Sequence, residues 1–143
     1  MSNISMFMKK NKTVRENVKF VVTKSLTDEA GNPLEWEIKP LSTKDNERIR
    51  DVCTTIITTR DKGVKQIPKV DQKKYSAMML TESVAFPDLL NAELQDSYGV
   101  KTPEDLLYEM VDDPGEYTKF MLFVQKFNGF DVSMDDLVDE VKN

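Results

Sequence analysis

The residues that would carry chemistry in this chain are few: one cysteine (Cys53), two adjacent acid pairs (Asp112-Asp113 and Asp135-Asp136) and one lysine cluster (Lys62, Lys65, Lys69, Lys73 and Lys74). There is no histidine at all. Histidine is the commonest general base and the commonest zinc ligand. Its absence excludes Ser-His-Asp triads, Cys-His pairs and His-containing zinc sites. A single cysteine excludes all-Cys zinc sites and any internal disulfide. The glycines stand singly at 31, 63, 99, 115 and 129, so no phosphate-binding loop is built, and no Gly-x-Ser-x-Gly elbow is present. The acid pairs lack the spaced oxygen ligands of a calcium loop and fall where helix-start acids belong, which makes them caps. The lysine cluster has no interleaved aromatic beyond Tyr75 in a chain of pI near 4.9, a poor footprint for nucleic acid. The expectation is a non-catalytic protein without metal, cofactor or small-molecule substrate.

What must position these residues is an ordinary folded chain. Its 143 residues, 39% hydrophobic and 31% charged, fit one soluble domain over 1–143. No apolar run approaches the ~18 residues of a membrane span, and the N-terminus lacks signal-peptide order. The expected location is the cytoplasm. Charge is uneven: residues 1–72 carry 14 Lys/Arg against 10 Asp/Glu, and residues 73–143 carry 6 against 15. A basic front and an acidic back permit head-to-tail self-association, although solvated surface explains the same pattern.

Residues 1–15 read as an N-terminal arm that could be mobile, with Ile4, Phe7 and Met8 at helical spacing. Residues 16–60 read as a β-hairpin plus a first long helix. Val18–Lys24 is rich in β-branched residues. Leu34, Trp36 and Ile38 alternate with Glu35, Glu37 and Lys39, and Thr27–Pro33 between the two runs is turn-forming. Two strands alone are marginal, so helices must cover the apolar face. Ser42 and Asp45 have capping-box spacing. Beyond them Ile49, Val52, Cys53, Ile56 and Ile57 recur at helical spacing, which predicts one long helix despite the strand propensity of Thr54–Thr59. Residues 63–70 read as a basic loop.

The acidic part, 71–143, reads as helices. The first runs from about Asp71 to Val84, the next from Leu89 to Tyr98, closed by Gly99. Thr102-Pro103 and Asp113-Pro114 start two more. In the second of these Tyr117, Phe120, Met121, Val124 and Phe127 form the strongest apolar stripe, closed by Asn128-Gly129. Ser133 caps a short terminal helix. The fold class expected is α+β, mainly helical, with an N-terminal β-hairpin packed on a bundle of about five or six helices. The expected core includes Phe20, Trp36, Ile38, Ile49, Cys53, Ile56, Phe120 and Val124. The chain has eight methionines. Thioether side chains repack easily, which suits surfaces that hold varied partners as well as plain cores. Phe7, Met8, Met78 and Met79 are the candidate partner contacts.

Glu16-Asn-Val-Lys-Phe, the turn Asp28-Glu-Ala-Gly-Asn-Pro, Glu35-Trp-Glu-Ile-Lys and the helix ending Arg50-Asp-Val-Cys-Thr54 together resemble the XkdN-like phage tail assembly chaperones. These belong to tailed phages and phage-like prophage elements of Gram-positive bacteria. Order and spacing carry the resemblance, most specifically over Glu16 to Thr55. It implies a chaperone that binds the tape measure protein and keeps it soluble before the tail tube polymerises. It also implies absence from the finished particle, and often a longer product made by a ribosomal frameshift. No catalytic residue carries over. Two other readings stay open on the residues: a structural tail or capsid accessory protein, and a small regulatory adaptor with weak nucleic-acid affinity.

Overall fold

The computed structural model describes residues 3–130. Two 3-10 turns, Asn3–Phe7 and Lys9–Asn11, precede β1 (Val18–Phe20), β2 (Trp36–Ile38), α1 (Thr43–Val52), β3 (Thr54–Thr59) and β4 (Lys65–Val70). Then come α2 (Gln72–Ser83), β5 (Val84–Phe86), α3 (Ala92–Ser97), α4 (Pro103–Met110) and α5 (Pro114–Phe127). The class is α+β and mainly helical. The terminal helix predicted from Ser133, with Met134 and the Asp135-Asp136 pair, lies outside the described residues.

The alternating run at Trp36 forms the centre of the sheet. Antiparallel β1 and β2 pair Val18 with Ile38 and Phe20 with Trp36. Between them Asp28 folds the turn: its carboxylate accepts from the N–H groups of Ala30 and Asn32, both at 2.9 Å. Gly31 takes φ +87° there, a conformation that costs a Cβ-free residue nothing. The strands are shorter than the alternation suggests. Leu34 donates its N–H to Leu26 near the turn instead of joining β2, and its side chain is 42% exposed. The sheet gains a third strand that the sequence does not announce. β5 pairs antiparallel with β2, giving the order β1-β2-β5, and the Lys39 N–H donates to the Ser83 carbonyl at 2.8 Å. The helix predicted to reach Val84 therefore ends at Ser83, where the chain enters β5.

The helices cover the apolar face of this sheet. Trp36 and Ile38 meet Ile49 and Cys53 of α1, Met79 and Leu80 of α2, Leu106 and Leu107 of α4, and Phe120 and Val124 of α5 in one buried cluster. Phe20 is half-buried against it and stacks on Phe123 at 4.1 Å between ring centroids. Side-chain caps set the helix starts. Ser42 and Asp45 form a reciprocal capping box on α1, Thr102 caps α4, and Asp113 caps α5 ahead of Pro114. The C-terminal end of α5 is tied back when Asn128 Oδ1 accepts the Leu41 N–H at 2.7 Å.

One long element is corrected. α1 stops at Val52, and Thr54–Thr59 is strand β3. The six β-branched residues of that run lose χ1 freedom in a helix and pack well on a pleated surface. The Thr54 hydroxyl donates to the Arg50 carbonyl at 2.7 Å and so occupies the last turn of α1. The stretch read as a basic loop is largely the partner strand β4. Ile56, placed in the core by helical spacing, is instead 67% exposed, while Cys53 just before it is fully buried.

Candidate functional site

Exposed large apolar side chains gather in the N-terminal turns and on the β3–β4 hairpin, with Phe86 and Leu90 exposed beside the cleft at β5 and Val14 between the turns and β1. The hairpin begins where α1 ends. Its ladder pairs Thr54 with Val70, Thr55 with Lys69, Ile56 with Pro68, Ile57 with Ile67, Thr58 with Gln66 and Thr59 with Lys65. Lys62 at φ +67° and Gly63 at φ +107° turn the chain between the strands. The two strands form a sheet of their own, separate from β1-β2-β5.

Alternation fixes what each edge and face presents. The Asp71 N–H donates to the Cys53 carbonyl at 2.8 Å, one step before the Thr54–Val70 pair. Antiparallel ladders alternate bonded and non-bonded pairs. Ile56–Pro68 is therefore a non-bonded pair, whose main-chain groups point away from the hairpin. Pro68 lacks an N–H and is tolerated because that donor would have faced outward. One face carries Ile56 and Pro68 among the neutral Thr54, Thr58, Gln66 and Val70. The other carries Ile57 and Ile67, flanked by Thr55, Thr59, Lys65 and Lys69. Ile57, Val64 and Ile67 are exposed along with Ile56. An isolated hairpin is only marginally stable, so isoleucines exposed on both of its faces contribute little to the fold. Exposed apolar side chains clustered on one small element mark it as a candidate interaction site.

The N-terminal turns expose Ile4, Met6, Phe7 and Met8, with Phe7 81% accessible. They lead into Arg15, whose guanidinium donates to the Leu41 carbonyl and so fixes the arm to the loop before α1. Of the four candidate contacts, Phe7 and Met8 are exposed. Met78 is half-buried against the core, and the Cys53 thiol meets its sulfur at 3.5 Å. Met79 is only 2% exposed, which removes it as a surface contact: it belongs to the same buried cluster as Trp36. The lysine cluster is divided, with Lys65 and Lys69 on β4, Lys62 in its turn, and Lys73 and Lys74 in the first turn of α2.

Among the described residues, conventional reactive groups do not converge. Burial pushes the Cys53 thiol up, which leaves little thiolate for nucleophilic work. An open cleft of about 560 Å³ beside β5 is lined by Lys39, Met78, Glu82, Leu89, Leu90 and Glu104 among others. Glu82 there is paired with Arg48 at 2.9 Å. Among the described residues no group of three or more His, Cys, Asp or Glu is placed to hold a metal. No described helix is long and apolar enough to cross a membrane.

Spacing alone did not mark Ile57, Val64 and Ile67 as exposed. The available signal was Thr54-Thr-Ile-Ile-Thr-Thr59 followed by the turn-forming Asp61-Lys-Gly63 and a second run ending at Val70.

Comparison with known proteins agrees with this architecture. The family model for the phage XkdN-like tail assembly chaperone protein matches residues 4–142. The phage-like element PBSX protein XkdN of Bacillus subtilis is 25% identical over 141 residues, covering 99% of this chain and 94% of that protein. The uncharacterized protein YqbN of the same organism is 23% identical over 141 residues, covering 99% and 93%. The crystal structure of YqbN superposes with a TM-score of 0.76 at 21% identity, over 92% of this chain and 99% of that one.

Proposed function

Because this chain belongs to the phage XkdN-like tail assembly chaperone family, we propose that it binds the tape measure protein and keeps that chain soluble until the tail tube polymerises around it. One observation supports this reading best: a hairpin that presents Ile56, Ile57 and Ile67 to solvent, outside the buried core cluster. A long chain with bare apolar stripes aggregates. A small acidic protein with an exposed apolar hairpin can cover such stripes and be displaced later. Phe7 and Met8 on the N-terminal arm supply a second apolar contact, and Met78 a marginal one. The action is non-catalytic and takes place in the host cytoplasm. The finished particle does not retain the protein, and a frameshifted longer product is a further partner.

Co-expression with a tape measure protein tests this. A soluble complex that co-purifies supports the proposal. An insoluble tape measure protein, with no complex, contradicts it. Stoichiometric amounts of the chain in purified particles would favour a structural component instead.

A further inference from the structure

We propose that the hairpin captures its partner by strand addition along the outer edge of β3, and that the strand it takes carries an acid-x-apolar-x-acid pattern. This rests on the tape-measure reading above and specifies its mode of contact. The two edges of the hairpin are not equivalent. The non-bonded pairs Thr54–Val70, Ile56–Pro68 and Thr58–Gln66 turn their main-chain groups outward. On β4 the middle outward position is Pro68, which offers no N–H, so that edge is interrupted. On β3 the middle position is Ile56, next to Thr58, and both keep their N–H. Neither amide has a partner among the described residues. The hairpin thus has one edge suited to a further strand and one that discourages it. That asymmetry admits a single added strand without propagating a sheet.

The side chains specify the occupant. Between Thr54 and Val70 the chain carries Arg60, Lys62, Lys65 and Lys69 against Asp61 alone. Lys65 and Lys69 lie on the same face as Ile57 and Ile67, one on each side of Ile67. A strand added beside β3 lies roughly 10 Å from β4, two strand spacings away. A lysine and a glutamate together span that distance. Residues of the added strand at i, i+2 and i+4 share this face. The middle one meets Ile57 and should be apolar; the outer two come within reach of Lys65 and Lys69 and should be acidic. The opposite face, bearing Ile56 and Pro68, is uncharged and accepts neutral residues. Main-chain bonds then supply affinity and the alternating side chains supply selection.

The test uses the full chain and short synthetic peptides that tile the tape measure protein, alongside the intact complex. Amide hydrogen exchange is followed at Ile56 and Thr58. Thr58→Pro removes one outward N–H without removing a ladder bond, as Pro68 does on the other strand. Thr58→Val keeps that N–H. The expected result is that both amides become protected in the complex. Thr58→Pro should weaken binding by tenfold or more while Thr58→Val binds as the parent does, with unchanged circular dichroism and thermal midpoint in both. The peptides that bind should carry the acidic-apolar pattern and should bind less tightly as salt is raised. If a complex forms but the amides still exchange freely and Thr58→Pro binds normally, strand addition is overturned and the chaperone reading stands. If the parent chain forms no complex at all, both fall.

Discussion

The Thr23 hydroxyl donates to Glu116 Oε1 at 2.8 Å across 93 residues of sequence. The second carboxylate oxygen of Glu116 accepts the Lys24 N–H at the same distance. One side chain in the first turn of α5 therefore holds the segment that follows β1. Thr23 is buried, so loss of its acceptor leaves a hydroxyl with only Ser25 nearby.

Glu116→Ala should cost about 1–3 kcal/mol, the range for a lost charge-assisted hydrogen bond with a stranded partner. Glu116→Gln, which keeps an acceptor, should cost less. Chemical denaturation monitored by circular dichroism measures both, and equal stability of parent and Glu116→Ala would show that the sheet is held to α5 by apolar packing alone.

Trp36 sets the scale of that packing. It is 2% exposed and meets Phe120 edge-on at 6.3 Å. Trp36→Ala should destabilise the domain by ~3–5 kcal/mol. A denaturation midpoint that does not move would mean that the pocket around β2 collapses without penalty.

Asp45 makes the start of α1 sensitive to acid. The Ser42 N–H donates to its carboxylate at 3.0 Å and lowers its pKa, with Arg48 acting in the same direction. A carboxyl lowered on folding stabilises fully above its unfolded pKa of ~3.9, and that contribution disappears as pH falls through the lower folded value. The stability difference between the parent and Asp45→Ala should therefore be constant near neutrality and shrink below about pH 4. Thermal melts across that range would show it. A difference that persists unchanged into strong acid would assign the effect to helix propensity instead.

Local signals in the sequence were informative where one residue type has one job. Ser42 with Asp45, Thr102 with Pro103, Asp113 with Pro114, and Asn128 with Gly129 each mark a helix end that the structure places there. Trp36 and Ile38 alternate because one side of β2 is covered. The hairpin was hidden because Ile49, Cys53 and Ile56 satisfy helical spacing, while no glycine or proline occurs between Ile49 and Thr59 to mark the end of α1. The decision there belongs to a pairing with Lys65–Val70, which periodicity in one segment does not report. β5 escaped because three residues are too few to show a period. Methionine identity did not separate Met78 from Met79, since adjacent helix positions differ in direction by about 100°.

The decisive comparison is between the parent and a variant with Ile56→Thr, Ile57→Thr and Ile67→Thr, each co-expressed with the tape measure protein. Threonine keeps strand propensity and removes apolar area from side chains that lie outside the core. The variant should fold with a thermal midpoint near that of the parent and yield little or no soluble tape measure complex. A folded variant that still holds the tape measure protein in solution as well as the parent would contradict the assignment of partner binding to the β3–β4 hairpin.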